Sequence, residues 1–159
     1  MKEIYRKLML LGLIVLIGIG LIYTNNQGKK QDKVFLNDYQ SFQVAMAQMQ
    51  EGNHDEAQER LLELHNKYYD QANITRNLGL AYAIGDAMDK AALYYQKAID
   101  QRPFIIQDPM FSLQFAEILY ANEEYAAAKQ YLEYCRNLAV PEEYRPRIDE
   151  LLAYIETNN

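Results

Sequence analysis

The side chains in this sequence that most often perform chemistry are two histidines, one cysteine and several adjacent acidic pairs. His54 and His65 lie eleven residues apart, with no cysteine or carboxylate arranged around them at metal-ligand spacing. Cys135 is the single cysteine, so it has no partner for an intramolecular disulfide. These residues predict neither a metal site nor a cofactor.

The acidic pairs have a structural explanation. Asp55-Glu56 and Glu123-Glu124 stand at the starts of predicted helices, where carboxylates interact favourably with the helix macrodipole. The sequence also lacks a glycine-rich phosphate loop and a nucleophile elbow. We therefore predict no catalytic residue and no enzymatic activity.

The composition narrows the classes of partner. The chain has 159 residues, enough for one domain, and half of them are hydrophobic. Setting aside Lys2, Glu3, Arg6 and Lys7 leaves 13 basic and 21 acidic residues, a net charge of −8. Nucleic-acid binding needs a basic surface. The acidic balance predicts no nucleic-acid partner.

The N-terminal region is strongly apolar. The run from Leu8 to Tyr23 is LMLLGLIVLIGIGLIY, and residues 8–28 contain no charge. As a helix these uncharged residues would extend roughly 30 Å, the thickness of a bilayer core. We expect a transmembrane signal anchor over residues 8–24 that contacts the lipid bilayer. A cleaved signal peptide is the alternative, but the exit LIYTNNQ has no small-residue cleavage site.

Cations flank this run on both sides. Lys2, Arg6 and Lys7 lie in a short basic tail, residues 1–7, and Lys29, Lys30 and Lys33 follow the run. The two counts are equal, but a short N-terminal tail usually stays inside. The expected location is a single pass through the cell membrane, with a cytoplasmic N-terminus and the body of the chain outside. Residues 25–37 are predicted to be a polar tether, most polar in TNNQGKKQDK (24–33).

The rest of the chain has helical periodicity and an internal repeat of 34 residues. The clearest copy starts at residue 72 and has small and bulky residues at fixed positions: Leu78, Gly79, Tyr82, Ala91, Tyr95, Ala98 and Pro103. A copy starting at residue 38 matches it with Val44, Ala45, Gly52, Ala57, Leu61 and Leu64. A third copy, starting at residue 109, matches it with Phe115, Ala116, Leu119, Ala128, Leu132 and Cys135. In its turn we expect Asn122 to adopt the left-handed backbone that Asn tolerates.

This order and spacing resembles the tetratricopeptide repeat (TPR) family, in a small, single-pass, membrane-anchored bacterial form. The resemblance implies an all-α solenoid of three helical hairpins over residues 38–71, 72–105 and 109–142. A capping helix over 144–157, with Ile148, Leu151 and Ile155 on one face, completes a domain spanning 38–157.

The resemblance also gives roles to the reactive residues. Cys135 falls at a small packing position and is expected to be buried. His54 is expected at a hairpin turn, and His65 late in a helix that faces solvent.

In TPR proteins the first helix of each hairpin lines a concave groove that binds a partner. Carried over position by position, the implied groove residues are Tyr39, Phe42, Gln43, Met46, Met49 and Gln50; Asn73, Arg76, Asn77, Leu80, Ala83 and Ile84; and Met110, Leu113, Gln114, Glu117, Tyr120 and Ala121.

The mode of binding follows from the residue types. TPR domains that clamp a C-terminal carboxylate use Lys, Asn and Arg at five of these positions, and only Asn77 matches. Phe42, Met46, Met110 and Gln114 occupy the other four. An aromatic and methionine-rich strip suits an apolar helix or an extended peptide instead. Arg76 could anchor a ligand or pair with a neighbouring acidic side chain.

The sequence therefore predicts a membrane-anchored, non-catalytic adaptor or scaffold that binds a partner protein or peptide. One alternative is a structural accessory subunit of a larger membrane complex for secretion, envelope synthesis or pilus assembly. A second alternative is a regulatory sensor for a short peptide.

Overall fold

The computed structural model describes residues 2–158, with the backbone alone for residues 2, 6–8, 10, 11, 14 and 158. All regular secondary structure in this part of the chain is helical, so the predicted all-α class is confirmed there. The chain divides into two units, one up to Ser41 and one from Phe42 onward. The division falls within the first helix, α1 (Lys2–Glu51).

The first unit consists of α1 as far as Ser41, and many of its apolar side chains are exposed, including Leu16, Ile22 and Phe35. Within residues 2–158, however, no helix combines the length and the apolar character that crossing a membrane requires.

The predicted anchor over residues 8–24 and the predicted cell-membrane location are therefore wrong. The expected span of about 30 Å counted residues 8–28, whereas the continuous apolar run from Leu8 to Tyr23 would rise only roughly 24 Å as a helix. The side chains of Lys2, Arg6 and Lys7, on which the expected orientation rested, lie outside the described set.

Residues 25–37, the predicted polar tether, are helical and continue α1. Lys and Gln have favourable helix propensities, so polarity alone does not interrupt a helix. Thr24 also turns its hydroxyl back onto its own helix, donating to the carbonyl of Gly20 at 3.0 Å. In such a segment, composition alone is a poor guide to whether the chain forms a polar helix or a flexible linker.

The second unit is built from antiparallel helices in sequence order. After the last turns of α1 come α2 (His54–Lys67), α3 (Ala72–Ile84), α4 (Met88–Gln101), α5 (Pro109–Ala121), α6 (Tyr125–Arg136) and α7 (Arg145–Asn158). Short 3-10 helices over Pro103–Gln107 and Glu142–Tyr144 precede α5 and α7. Each helix from α2 to α6 packs against the next one in the chain.

Small residues let paired helices approach closely. Ala57, Ala91 and Ala128, at equivalent positions of the three repeats, are completely buried. In the second hairpin a Cβ added to Gly79 would lie 2.7 Å from the Tyr95 ring and 3.2 Å from the carbonyl oxygen of Ala91. A separation of this kind is available only to glycine, so Gly79 determines how closely α3 approaches α4.

The hairpin turns repeat the same backbone conformation. Gly52, Asp86 and Glu123 occupy the equivalent position in each repeat and have positive φ angles of 87°, 59° and 62°. Asn122, expected to be left-handed, has a φ of −85°. Glu123, the next residue, has the positive φ angle instead. The turn requires a left-handed residue at this position of the repeat, and Asp or Glu is accommodated there.

The start of α5 has a complete N-terminal cap. The Asp108 carboxylate accepts hydrogen bonds from the backbone N–H groups of Met110 at 3.0 Å and Phe111 at 3.4 Å. Pro109 occupies the first turn, where its missing N–H is harmless. This cap fixes where α5 begins and thereby the register of its exposed side chains.

The last helix covers the open side of the third hairpin. Ile148, Leu151, Leu152 and Ile155 are each no more than 5% exposed. The pattern of apolar residues along α7 thus turns one face onto the core, as the amphipathic spacing predicts.

Candidate functional site

The predicted groove residues within the second unit lie on the last turns of α1, on α3 and on α5. Phe42, Met46, Leu80 and Tyr120 are half-buried and pack against the core with part of their surface exposed. Tyr39 belongs to the first unit and is 55% exposed, so it is not part of the surface described below.

Two of the predicted groove residues belong to the core. Met49 is 7% exposed and Leu113 is 2% exposed. α5 packs against α4 on one side and α6 on the other, so a larger part of its surface is buried than in a helix with a single buried face. Assigning groove residues by their position in the repeat does not account for such local differences in burial.

Eleven of the remaining residues define a surface that we call the first-helix face. Its apolar part consists of Phe42, Met46, Leu80, Ile84, Met110 and Tyr120, and its polar part of Asn73, Arg76, Asn77, Gln114 and Glu117. Ile84 is the most exposed of the apolar members, at 43%.

Arg76 connects α3 to α5 through its guanidinium. Its Nη1 lies 3.2 Å from Oδ2 of Asp108, and its Nη2 donates to Oε1 of Gln114 at 2.9 Å. The guanidinium also lies 5.7 Å from the centre of the Phe111 ring. Of the two roles open to Arg76, the structure therefore shows pairing with a neighbouring carboxylate.

A buried tyrosine completes this network. Tyr95 is fully buried and donates its hydroxyl to the same Gln114 oxygen at 3.0 Å. Burial is the largest influence on this group and raises the pKa of Tyr95 to about 12, although Arg76 acts in the opposite direction. The hydroxyl is therefore a neutral donor near pH 7, and Gln114 is held by two donors.

Asn77 is the single residue that matches a carboxylate clamp, and its amide group is already engaged. Its Nδ2 donates to the backbone carbonyl of Asn73 at 2.7 Å. With Arg76 paired to Asp108 as well, no charged donor of the α3 surface is left to receive a terminal carboxylate. The geometry favours contacts to apolar side chains and amide groups.

The far end of the face includes two residues of α7, Arg147 and Tyr154, that are not among the predicted groove residues. Arg147 donates from Nε to Glu117 at 3.1 Å and from Nη1 to Glu150 at 3.1 Å. The Tyr154 ring meets Tyr120 edge-on, with centroids 5.6 Å apart. The sequence does indicate that Arg147 and Tyr154 could contact another surface, because both lie off the apolar face of α7.

The two histidines occupy different environments. His54 is the first residue of α2 and is half-buried. His65 does not face solvent as expected: its Nδ1 lies 3.1 Å from the Thr75 hydroxyl, and its ring meets Tyr94 edge-on at 5.4 Å. The prediction failed because α3 and α4 both pack against the end of α2.

Cys135 is confirmed as a packing residue. It is fully buried, with Sγ 3.7 Å from the carbonyl oxygen of Pro109, and burial raises its pKa to about 11. A thiol with a raised pKa is a poor nucleophile. Within residues 2–158 no three His, Cys, Asp or Glu side chains converge as metal ligands would.

No protein-family model and no curated protein matches this sequence. Solved structures do match it. SycD, the type III secretion chaperone of Yersinia enterocolitica, solved with a peptide of the translocator YopD, superposes with a TM-score of 0.64 at 22% identity, over 75% of this chain and 92% of SycD. The TPR2B domain of yeast Sti1 superposes with a TM-score of 0.65 at 17% identity, over 78% of this chain and 99% of that domain.

The fold is that of a TPR domain. A third match, the first TPR of Spaghetti (RPAP3) bound to the HSP90 peptide SRMEEVD, has a TM-score of 0.63 at 14% identity and covers 76% of this chain and 90% of that one. Identities this low establish the TPR architecture alone. The predicted all-α, TPR-type solenoid is thereby confirmed.

Proposed function

We propose that this protein is a non-catalytic adaptor that binds a peptide segment of a partner protein across the first-helix face. The observation that most supports it is the row of partly exposed apolar side chains on consecutive first helices. Phe42, Leu80 and Tyr120 come from α1, α3 and α5 in turn, and Ile84 extends the row. Side chains that stay partly exposed on adjacent repeats are suited to anchoring an extended or helical peptide.

The polar groups on this face suit a peptide whose binding residues are uncharged. Arg76 and Glu117 are both neutralised by ion pairs, with Asp108 and Arg147 respectively. Asn73, Asn77 and Gln114 add polar groups without net charge. The face therefore offers apolar contacts for affinity and no unpaired charge to attract a charged ligand.

Similar architectures support the proposal. SycD was solved with a peptide of YopD, the TPR2B domain of Sti1 with pHsp70, and PcrH with the chaperone-binding region of PopD. Those ligands belong to those proteins. For this chain we infer only that its TPR domain, which also has an exposed apolar face, binds a peptide.

The test is selection of peptides from a random phage-displayed library on the immobilised full chain. We expect the wild-type chain to enrich peptides with apolar anchors. Phe42→Glu with Leu80→Glu should abolish their binding, because two carboxylates replace two apolar anchors. Circular dichroism and thermal unfolding verify that the domain is folded.

Two further variants keep this test informative. Ile84→Glu alters a 43% exposed side chain, so it changes the same face with little effect on the core. Phe104→Glu makes the same chemical change at a 72% exposed side chain of the 3-10 helix before α5, and it is expected to leave binding intact. Peptides that bind the Phe42, Leu80 and Ile84 variants as well as the wild type would refute the assignment of this face.

A further inference from the structure

A depression lies between α4, α5 and the start of α6, and its lining includes the polar residues Gln96 and Asn122. Its volume is about 430 Å³, within the range of ligand-binding clefts. Phe115 and Leu119 of α5 form its floor, and Ala92 of α4 and Ala127 of α6 form its sides. We call it the α4–α6 groove. None of these residues belongs to the first-helix face.

The rim presents one large aliphatic side chain and one aromatic side chain. Leu93 is 52% exposed although it borders an apolar floor. Tyr131 stands on the other side, its ring edge-on to Phe115 with centroids 4.7 Å apart. A partner side chain entering here would be covered by both, and the exposed surface of Leu93 would be removed from water.

The charge around the groove has one sign. Asp89 and Glu124 are the charged residues of the lining, and both are exposed. Asp100 lies beyond them, close enough to Tyr131 to raise the pKa of its hydroxyl, although burial has the larger effect. Two carboxylates, Asp89 and Glu124, thus border the groove, and Glu124 accepts a hydrogen bond from Nδ2 of Asn122 at 2.7 Å.

The cations of the bordering helices are directed elsewhere. On α4, Nζ of Lys90 lies 5.1 Å from the centre of the Tyr82 ring, and Nζ of Lys97 lies 4.6 Å from that of Tyr94. On α6, Lys129 pairs with Glu156 at 3.0 Å. Arg136 pairs with Asp149. Among the described residues of α4 and α6, no lysine or arginine forms an ion pair with Asp89 or Glu124.

We propose that the α4–α6 groove is a second docking site, which binds a basic amphipathic helix of a partner protein through an aliphatic side chain flanked by lysine or arginine. The aliphatic group fills the space above Phe115 and Leu119 beside Leu93. The flanking cations lie near Asp89 and Glu124. Apolar burial supplies the affinity, and the opposite charges supply orientation and a faster association.

The probe is a synthetic helical peptide of about 15 residues, long enough to form a helix, with leucine on one face and lysine on the other. Its affinity for the full chain is measured by calorimetry at low and high salt. Leu93→Ala should weaken binding about tenfold through lost apolar contact. Asp89→Asn with Glu124→Gln should weaken it about fivefold and remove most of the salt dependence.

The matched control is Asp55→Asn with Glu59→Gln on α2. It removes the same two charges, one of them also from the first turn of a helix, at a distance from the groove. Equal weakening by this control would show that the peptide responds to net charge alone and would overturn the proposal. So would equal binding of a peptide with glutamate in place of lysine.

Two other outcomes would also overturn it. If Ile84→Glu abolishes binding and Leu93→Ala does not, the peptide occupies the first-helix face, and the proposed function stands without the second site. If the chain alone forms dimers that Leu93→Ala dissociates, the occupant of the groove is a second copy of this chain.

Discussion

His65 joins three helices of the first two hairpins. The Thr75 hydroxyl oxygen lies 3.1 Å from Nδ1 of His65 and 3.2 Å from the carbonyl oxygen of Gln71. The ring also meets Tyr94, which stacks on Tyr82 with centroids 5.4 Å apart. A neutral imidazole fits this setting. Burial, and secondarily the Lys97 charge, lower the pKa of His65 from its ordinary 6.5.

This lowered pKa predicts a pH-dependent stability. Below pH 6.5 the unfolded chain binds a proton at this position more readily than the folded chain does. Stability should therefore fall as the pH decreases from about 6.5 through the folded-state pKa. Urea unfolding of the wild type and of His65→Gln at neutral and acidic pH measures the difference, and the variant should show a smaller pH slope.

Lys97→Gln provides the second measurement. Removing this charge brings the pKa of His65 closer to its ordinary value, so the pH slope should decrease without disappearing, since burial remains the larger cause. An unchanged slope in His65→Gln would show that other groups produce the acid sensitivity.

At the scale of elements, the approach of α3 to α4 depends on Gly79. Its missing side chain leaves room for the Tyr95 ring, which in turn stacks on Phe111 at 5.0 Å and Phe115 at 5.5 Å. One small residue therefore positions the aromatic group that connects the second hairpin to α5. The same Tyr95 donates to Gln114 on the first-helix face, so packing and site geometry are coupled.

Gly79→Ala should reduce the free energy of unfolding by about 2 kcal/mol, despite the better helix propensity of alanine. The new Cβ meets a backbone carbonyl and a buried ring, neither of which has room to move. Gly85→Ala is the control. Its φ of −81° suits any residue, but its Cβ would displace the Gln58 amide that donates to the Ala81 carbonyl at 3.1 Å, so we expect a smaller loss of about 1 kcal/mol. Chemical denaturation measures both, and equal losses would contradict the packing argument.

At the scale of the whole molecule, the second unit behaves as a stack in which each hairpin is covered by the next. Its last hairpin is covered by α7, which is attached by apolar contacts and by ion pairs such as Lys129–Glu156 and Arg136–Asp149. Exposed ion pairs contribute at most about 1 kcal/mol each. The buried apolar residues of α7 therefore hold the cap in place.

Ile148→Ala removes a side chain that is 1% exposed and should cost about 3 kcal/mol of stability. Because neighbouring repeats stabilise one another, hydrogen exchange should accelerate most in α5 to α7 and least in α2. Ala153→Gly, an exposed change on the same helix, should cost only about 1 kcal/mol. Uniform acceleration across the unit would show that it unfolds as a single cooperative block.

The sequence by itself determined the repeat. Small residues (alanine, glycine and cysteine) occur at matching positions because paired helices must pack closely. Each hairpin has this requirement at the same positions, so it appears in the sequence as a 34-residue repeat. The TPR architecture and the buried state of Cys135 followed from it.

Tertiary structure alone decided the rest. It placed Met49 and Leu113 in the core, paired Arg76 with Asp108, and put the left-handed backbone at Glu123 rather than at Asn122. A linear pattern specifies which face of a helix is apolar, but the exposure and pairing of each side chain depend on neighbours distant in the sequence.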